Sequence, residues 1–259
     1  MLLKDKVIVV TGVGPGMGVK LCKLAAREGA AVVLSARSAD VITDTAQEIC
    51  GEGGRAVAVR ADVGRKEDCI RLAAESINAF GRIDGLVNSA YRYGTFTSFE
   101  EADLDDWRAS YEVTLFGALQ MIQAVLPSMK SRGGAIVNVS TMEARKPLAE
   151  HGSYSLPKAA LHAATRQLAL ELGKYNIRVN NAVIGWMWGV SVEGYMTSSA
   201  KENGVPVQQL IDEVARNIPL RRIPTDADCA KSVVLLLSDY ASEVTGAALD
   251  INGGEFLAL

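Results

Sequence analysis

Val7-Ile8-Val9-Val10-Thr11-Gly12-Val13-Gly14-Pro15-Gly16-Met17-Gly18 joins a run of β-branched residues to a cluster of glycines, and helical spacing follows at Leu21, Leu24 and Ala25. The order reads strand, sharp turn, helix. Glycine is required where the chain turns tightly and where backbone must approach a ligand. A pyrophosphate on the helix N-terminus is the ligand such a turn fits. A tight turn holding nothing is the competing reading. A P-loop is excluded, because Lys20 follows Val19 and no Ser or Thr comes next.

The same alternation continues along the chain. Apolar runs at Ala31 to Leu34, Ala56 to Val59, Ile83 to Val87, Ala135 to Val139 and Ile177 to Val183 are strand-length. Helical patterns lie between them at Val41 to Ile49, Cys69 to Ile77, Leu104 to Met129 (ending near Pro127) and Ser153 to Leu172. A last helix at Ala227 to Leu237 leads into Ala248 to Ile251. Unbroken apolar strands are buried on both faces, as a helix-covered parallel sheet requires. The expected fold is α/β: a doubly wound, Rossmann-like parallel sheet of seven strands in three αβα layers, one domain over 1–259. The segment Gly185 to Pro224 breaks the rhythm. It holds a short helix, Val207 to Ile218, and at the carboxyl end of a strand it reads as a substrate lid.

A chain of 259 residues with 49% hydrophobic and 22% charged residues buries a core without disulfides or structural metal. Cys22, Cys50, Cys69 and Cys229 show no C-x-x-C spacing and read as reduced thiols of a cytoplasmic protein. A net charge of -3 argues against nucleic acid as a main partner. The N-terminus reads as a first strand with no cleavage site, and no apolar run is long enough to span a membrane.

The second strand ends Ala36-Arg37, where an acidic residue would accept from a ribose 2′-hydroxyl. Arg37 favours a 2′-phosphate instead, hence NADP over NAD. Further on, Tyr154 and Lys158 stand at i and i+4, on one helical face. An ammonium beside a phenol favours the phenolate, the direction a general acid or base near neutrality needs.

Taken together, Thr11, Gly12, Gly16 and Gly18, Asp62-Val63, Asn88-Ser89-Ala90, the Tyr154/Lys158 pair and Arg178-Val179-Asn180 closely resemble the short-chain dehydrogenase/reductase family over essentially the whole chain. The resemblance implies an NAD(P)-dependent oxidoreductase that interconverts a secondary alcohol and a ketone. Tyr154 would be the acid/base, with Lys158 holding the nicotinamide ribose and tuning the tyrosine. Gly12, Gly14, Gly16, Met17, Gly18, Arg37, Asp62, Val63, Asn88, Ala90, Gly185 and Met187 would form the cofactor site, with no metal. A homotetramer or homodimer is implied, through the long helices and the C-terminal strand. The apolar end, Phe256 to Leu259, fits burial against a neighbour.

Departures from the family pattern are equally specific. The catalytic serine position is Thr141, with Ser140 before it. The proton-relay asparagine is Thr114, in the context Thr114-Leu115-Phe116-Gly117. Ile184-Gly185 replaces Pro-Gly, and Tyr91 replaces a glycine. These changes leave a second reading open, a nicotinamide-binding sensor or scaffold without turnover. The enoyl-reductase branch spaces its tyrosine and lysine more widely than Tyr154 and Lys158. Aromatic residues are 6% of the chain yet gather after the fourth and sixth strands. Tyr91, Tyr93, Met142, Glu143, His151, Trp186 and Trp188 are the candidate substrate contacts, joined by Phe96, Tyr195 and Met196. They suggest a bulky apolar or aromatic substrate, with His151 and Arg145 available to a polar end. The tryptophans packing the lid or a subunit interface is the alternative.

Overall fold

A computed structural model describes residues 1–257; Ala258 and Leu259, the end of the expected apolar tail, lie outside the described residues. The strands are β1 (Val7–Thr11), β2 (Ala31–Ala36), β3 (Arg55–Arg60), β4 (Gly85–Asn88), β5 (Gly134–Thr141), β6 (Ile177–Ile184) and β7 (Ala248–Ile251). The helices are α1 (Met17–Arg27), α2 (Asp40–Gly51), α3 (Lys66–Phe80), α4 (Leu104–Tyr111), α5 (Gly117–Met129), α6 (Gly152–Leu172), α7 (Val190–Asn203), α8 (Val207–Arg216) and α9 (Asp226–Leu237). The sheet order is β3-β2-β1-β4-β5-β6-β7, and every pairing is parallel. This is the doubly wound seven-stranded sheet expected, with its topological switch between β1 and β4.

Alternate residues of each strand feed two cores. Ile8 and Val10 meet Leu21, Cys22, Val233 and Leu237 on one face. Val9 and Ile136 meet Cys69, Leu72, Met121 and Val125 on the other. Cys22, Cys69 and Cys229 are buried, which pushes all three thiols up, Cys69 to about 11 and Cys229 to about 12.

Three local expectations are corrected. The helix from Leu104 does not run evenly to Pro127: a π-helical turn at Glu112–Phe116 separates α4 from α5, and α5 continues to Met129 with Pro127 inside its last turn. Proline there forgoes the one backbone bond its N–H would have made to the Gln123 carbonyl, close to the helix end. The lid helix expected to reach Ile218 ends at Arg216. The lid also contains α7, for which the sequence Val190 to Asn203 offers little apolar period. Only Met196 and Ala200 of it are buried, and Gly204 at φ 65° stops it.

Candidate active site

At the switch point the turns after β1 and β4 face each other. Gly12 takes φ 71°, and a Cβ on it would lie 2.3 Å from the Ala90 backbone nitrogen, so only glycine allows the two turns to approach. A Cβ on Gly18 would press on the Val13 Cα at 2.8 Å, which sets α1 close against the strand turn. Gly14 and Gly16 meet nothing within 4 Å, so their backbone is bare toward the crevice. Helix α1 begins with no side-chain cap and no acidic residue in its first turn, which leaves its positive end uncompensated. Asn88 is buried. Its Nδ2 donates to Asn138 Oδ1 at 2.9 Å, while its Oδ1 has no partner among the described residues. Bare glycine backbone, an uncapped helix start and a spare amide oxygen fit the diphosphate and nucleoside of a dinucleotide.

The remaining expected cofactor residues ring this crevice. Arg37 is exposed at the carboxyl end of β2, and Arg60, opposite Ala36 in the β2–β3 register, donates from Nε to the Arg37 carbonyl at 2.9 Å. Neither arginine has an ion pair among the described residues. Asp62 accepts from the Gly64 N–H at 3.0 Å, and Val63 packs where a Cβ on Gly117 would be, at the start of α5. Met17 is buried under the turn. Met187 packs at the edge of the first core, just past Gly185.

Reacting groups converge one strand over. Thr141 ends β5, where its hydroxyl accepts from the Glu143 N–H at 3.3 Å and lies near enough to the Tyr154 phenol, on the first turns of α6, to act on its pKa. Ser140, one residue earlier, points to the other face of the sheet as strand alternation requires. Its Oγ is buried without a partner among the described residues. Lys158 is 2% exposed, donates to the Val139 carbonyl at 2.5 Å, and lies 5.4 Å from the Tyr91 ring centroid. Burial lowers its pKa from 10.5 to about 7. Contrary to the expectation that Lys158 lowers the phenol, the pKa of Tyr154 is raised well above 10.0. Burial is the largest cause, Tyr93, Tyr91 and Glu143 add to it, and only the Thr141 hydrogen bond opposes it. Desolvation therefore dominates, and Tyr154 rests as a neutral phenol.

A buried polar chain, not read from the sequence, fixes α6 over the sheet. Asn138 Nδ2 donates to Thr165 Oγ1 at 2.9 Å, and Thr165 Oγ1 lies 3.0 Å from Asn181 Oδ1. With the Asn88–Asn138 bond this links the cofactor crevice on β4 to the helix that carries Tyr154 and Lys158.

The aromatic wall is built on the loop after β4. Thr114, buried in the π-helical turn, accepts the Arg92 backbone N–H at 3.2 Å. The Arg92 guanidinium grips Asp106 and Ser110 of α4. Ser153 Oγ lies 2.8 Å from the Tyr93 carbonyl and 3.0 Å from that of Thr95. So held, Tyr91 and Tyr93 stand 6.0 and 4.9 Å from the Tyr154 ring, and Phe96 stacks on His151 at 4.2 Å. His151 Nδ1 pairs with Glu143 Oε2 at 2.8 Å, and Met142 is buried beside them. Arg145 does not stand free on its loop: it pairs with Asp250.

Trp186 and Trp188 both pack the lid's own small core, with Met196, Ile218 and Ile223. The lid is tied at its base, where Trp188 donates to Pro224 and accepts from Asp226 at 2.8 and 2.9 Å. Trp186 also faces Tyr195, and together they border a lid cavity of about 210 Å³.

Comparison with known proteins places this geometry. A family model described as enoyl-(acyl carrier protein) reductase matches residues 12–255. The 7alpha-hydroxysteroid dehydrogenase of Escherichia coli (strain K12) is 32% identical over 97% of this chain and 94% of its own.

The chain belongs to the short-chain dehydrogenase/reductase family.

Solved structures agree. A levodione reductase superposes with a TM-score of 0.90 at 26% identity, over 98% of each chain. A 7 alpha-hydroxysteroid dehydrogenase complexed with NADH and 7-oxo glycochenodeoxycholic acid gives 0.88 at 31% identity, over 97% of this chain and 94% of that one. This short-chain dehydrogenase/reductase is an oxidoreductase, and no helix among its described residues is long and apolar enough to cross a membrane. Two residues near the candidate site are not legible in the sequence. Arg60 is visible only once the β2–β3 register is known. Glu255, beside the Gly185-Trp186 turn, is placed by the chain's return after β7.

Proposed function

We propose that the enzyme interconverts a bulky secondary alcohol and its ketone, with NADP preferred to NAD. The observation that carries this reading is Tyr154 beside Thr141, with the buried Lys158 one turn further along α6. The bound nicotinamide supplies or accepts the hydride at the carbinol carbon. Thr141 and Tyr154 hold the substrate oxygen between their hydroxyls, and Tyr154 gives it a proton in reduction or takes one in oxidation. Lys158 bonds the nicotinamide ribose and, when protonated, eases loss of the phenol proton. Thr114 serves chiefly by fixing the Tyr91 to Phe96 wall; its hydroxyl proton is free to order a water. Tyr91, Tyr93, Phe96 and Met142 offer a ring-shaped substrate apolar contact, and the lid excludes water from it.

A panel of ring-fused, aryl and aliphatic secondary alcohols run with NAD and NADP tests this reading. Turnover of ring alcohols is expected. Cofactor binding with no turnover across the panel would favour a sensor. A neutral resting phenol also sets the pH dependence. Oxidation needs the phenolate, so its kcat/KM is expected to climb from pH 7 to 9, by up to about tenfold per unit. Reduction uses the phenol and should stay level there. A flat oxidation profile would contradict Tyr154 as the base.

Arg37 and Arg60 have no carboxylate partner among the described residues, and together they suit a 2′-phosphate. Arg37→Asp is expected to lower kcat/KM for NADP by about 100-fold, the loss of a charge-assisted contact plus a new repulsion, while NAD use survives. Steady-state kinetics with both cofactors reads this directly. An unchanged ratio would remove Arg37 from the site. We also propose a dimer contact on α5 and α6, where Phe116, at the end of the π-helical turn that leads into α5, and Leu156 of α6 are exposed.

A further inference from the structure

The turn after β7 brings a carboxylate to the carboxyl edge of the sheet, beside Gly185. Asn252 is buried, its side chain accepts the Gly254 N–H at 2.9 Å and donates to the Phe256 carbonyl at 3.0 Å. Gly253 and Gly254 take φ 66° and 90°, and the Gly253 carbonyl accepts from Leu220 of the lid at 3.2 Å. Arg145 lies over the Phe256 ring at 5.2 Å. Glu255 is thereby held in one place, with Oε2 3.1 Å from where a Cβ on Gly185 would stand.

This position is at the carboxyl end of β6, the strand next to the one that carries Thr141. Gly185 follows Ile184, whose register partner is Thr141, and the charge of Glu143 is felt by both Tyr154 and Glu255. Oε2 is shielded from solvent and has no hydrogen-bond partner among the described residues. Burial pushes the Glu255 carboxyl up and Glu143 adds to this; the Trp186 backbone N–H and Lys146 oppose it. A buried acceptor without a donor is costly, so a ligand that supplies the donor gains selectivity from it.

We infer that Glu255 is a specificity-determining residue that accepts a hydrogen bond from a second hydroxyl of the substrate, making a ring-bearing diol or hydroxyketone the preferred class. This rests on the alcohol–ketone reading above and narrows it. A hydroxyl suits the site better than an ammonium, because the charges around it are already matched. Glu143 faces His151, Arg145 faces Asp250, and Lys146 acts on Glu255 itself. The aromatic side chains bind the ring, Tyr154 and Thr141 take the reacting oxygen, and Glu255 reads the second one.

Binding of 1-tetralol and of 1,4-dihydroxytetralin tests the inference, read by tryptophan fluorescence on Tyr154→Phe enzyme saturated with NADP, where bound alcohol persists. The diol is expected to bind about tenfold more tightly, the worth of one hydrogen bond to a charged group. Adding Glu255→Ala should bring that ratio to about one with 1-tetralol binding unchanged, and Glu255→Gln, which keeps the side chain's shape, should lower it as well. Equal binding of the two alcohols before Glu255 is changed, a ratio that survives both substitutions, or no saturable binding of either alcohol would overturn the inference. Turnover of 1-tetralol by wild type is the separate check on the underlying reaction: its absence alongside an intact, Glu255-dependent ratio would sink the reaction and spare the diol contact.

Discussion

Tyr154→Phe is expected to lower kcat by about a thousandfold in either direction, the worth of a positioned acid/base group. Phenylalanine keeps the ring and its packing against Tyr93 at 4.9 Å. What is lost is the one hydroxyl that shares the substrate oxygen with Thr141 and carries a proton. Cofactor affinity should change little, because the glycine turn, Asn88 and Lys158 are untouched. Steady-state rates beside a cofactor titration separate these effects. A variant that keeps a tenth or more of wild-type turnover would take the proton role away from Tyr154. Threonine at 141 makes a second test of the same pair: Thr141→Ser keeps the hydroxyl and should retain most activity, whereas Thr141→Val should not.

Lys158→Met is expected to remove measurable turnover and, near neutral pH, to stabilise the fold by about 2 kcal/mol. The reason is burial. Lys158 is 2% exposed, and its one hydrogen-bond acceptor among the described residues is the Val139 carbonyl. Its folded pKa of about 7 lies below the unfolded 10.5, so below pH 7 both states hold the proton and the full cost of a buried ammonium is present. Between pH 7 and 10.5 the folded state loses the proton before the unfolded state does, and wild-type stability gains with rising pH. The advantage of the Met variant should therefore be largest at pH 6 and shrink toward pH 10. Denaturant unfolding at both pH values measures it. A destabilised variant at pH 6 would mean that Lys158 is held by more than the structure shows.

The same lysine explains how a site can rest in one protonation state and react from another. Tyr154 is a neutral phenol because burial raises its pKa, and Lys158, one turn along α6, is itself only partly charged near pH 7. A ligand hydroxyl that bonds Lys158 would stabilise its charged form, and the phenol would follow.

Much of the fold was legible because its signals are local. β-branched runs, the glycine turn and the Tyr154 to Lys158 spacing depend on neighbours along the chain. What escaped depends on register and on contacts far apart in sequence. The β2–β3 register places Arg60 by Arg37, and the return after β7 places Glu255 by Gly185. The chain Asn88–Asn138–Thr165–Asn181 joins three strands and a helix, and no spacing announces it. Helix α7 escaped because Ser, Gly and β-branched residues dominate it, and it is held by the lid through Met196. Thr114 matches the relay position in sequence, but its hydrogen bond to the Arg92 N–H, which supports the loop of Tyr91 and Tyr93, is visible only once the π-helical turn is known.

The central claim is that this chain moves hydride between a carbinol carbon and a nicotinamide under control of Tyr154. Incubation with NADP and secondary ring alcohols deuterated at the carbinol carbon, followed by mass analysis of the cofactor, tests it most directly. One deuterium per reduced nicotinamide is expected with wild type, and none above background with Tyr154→Phe. Reduced cofactor without deuterium, or equal labelling by the two proteins, would contradict it.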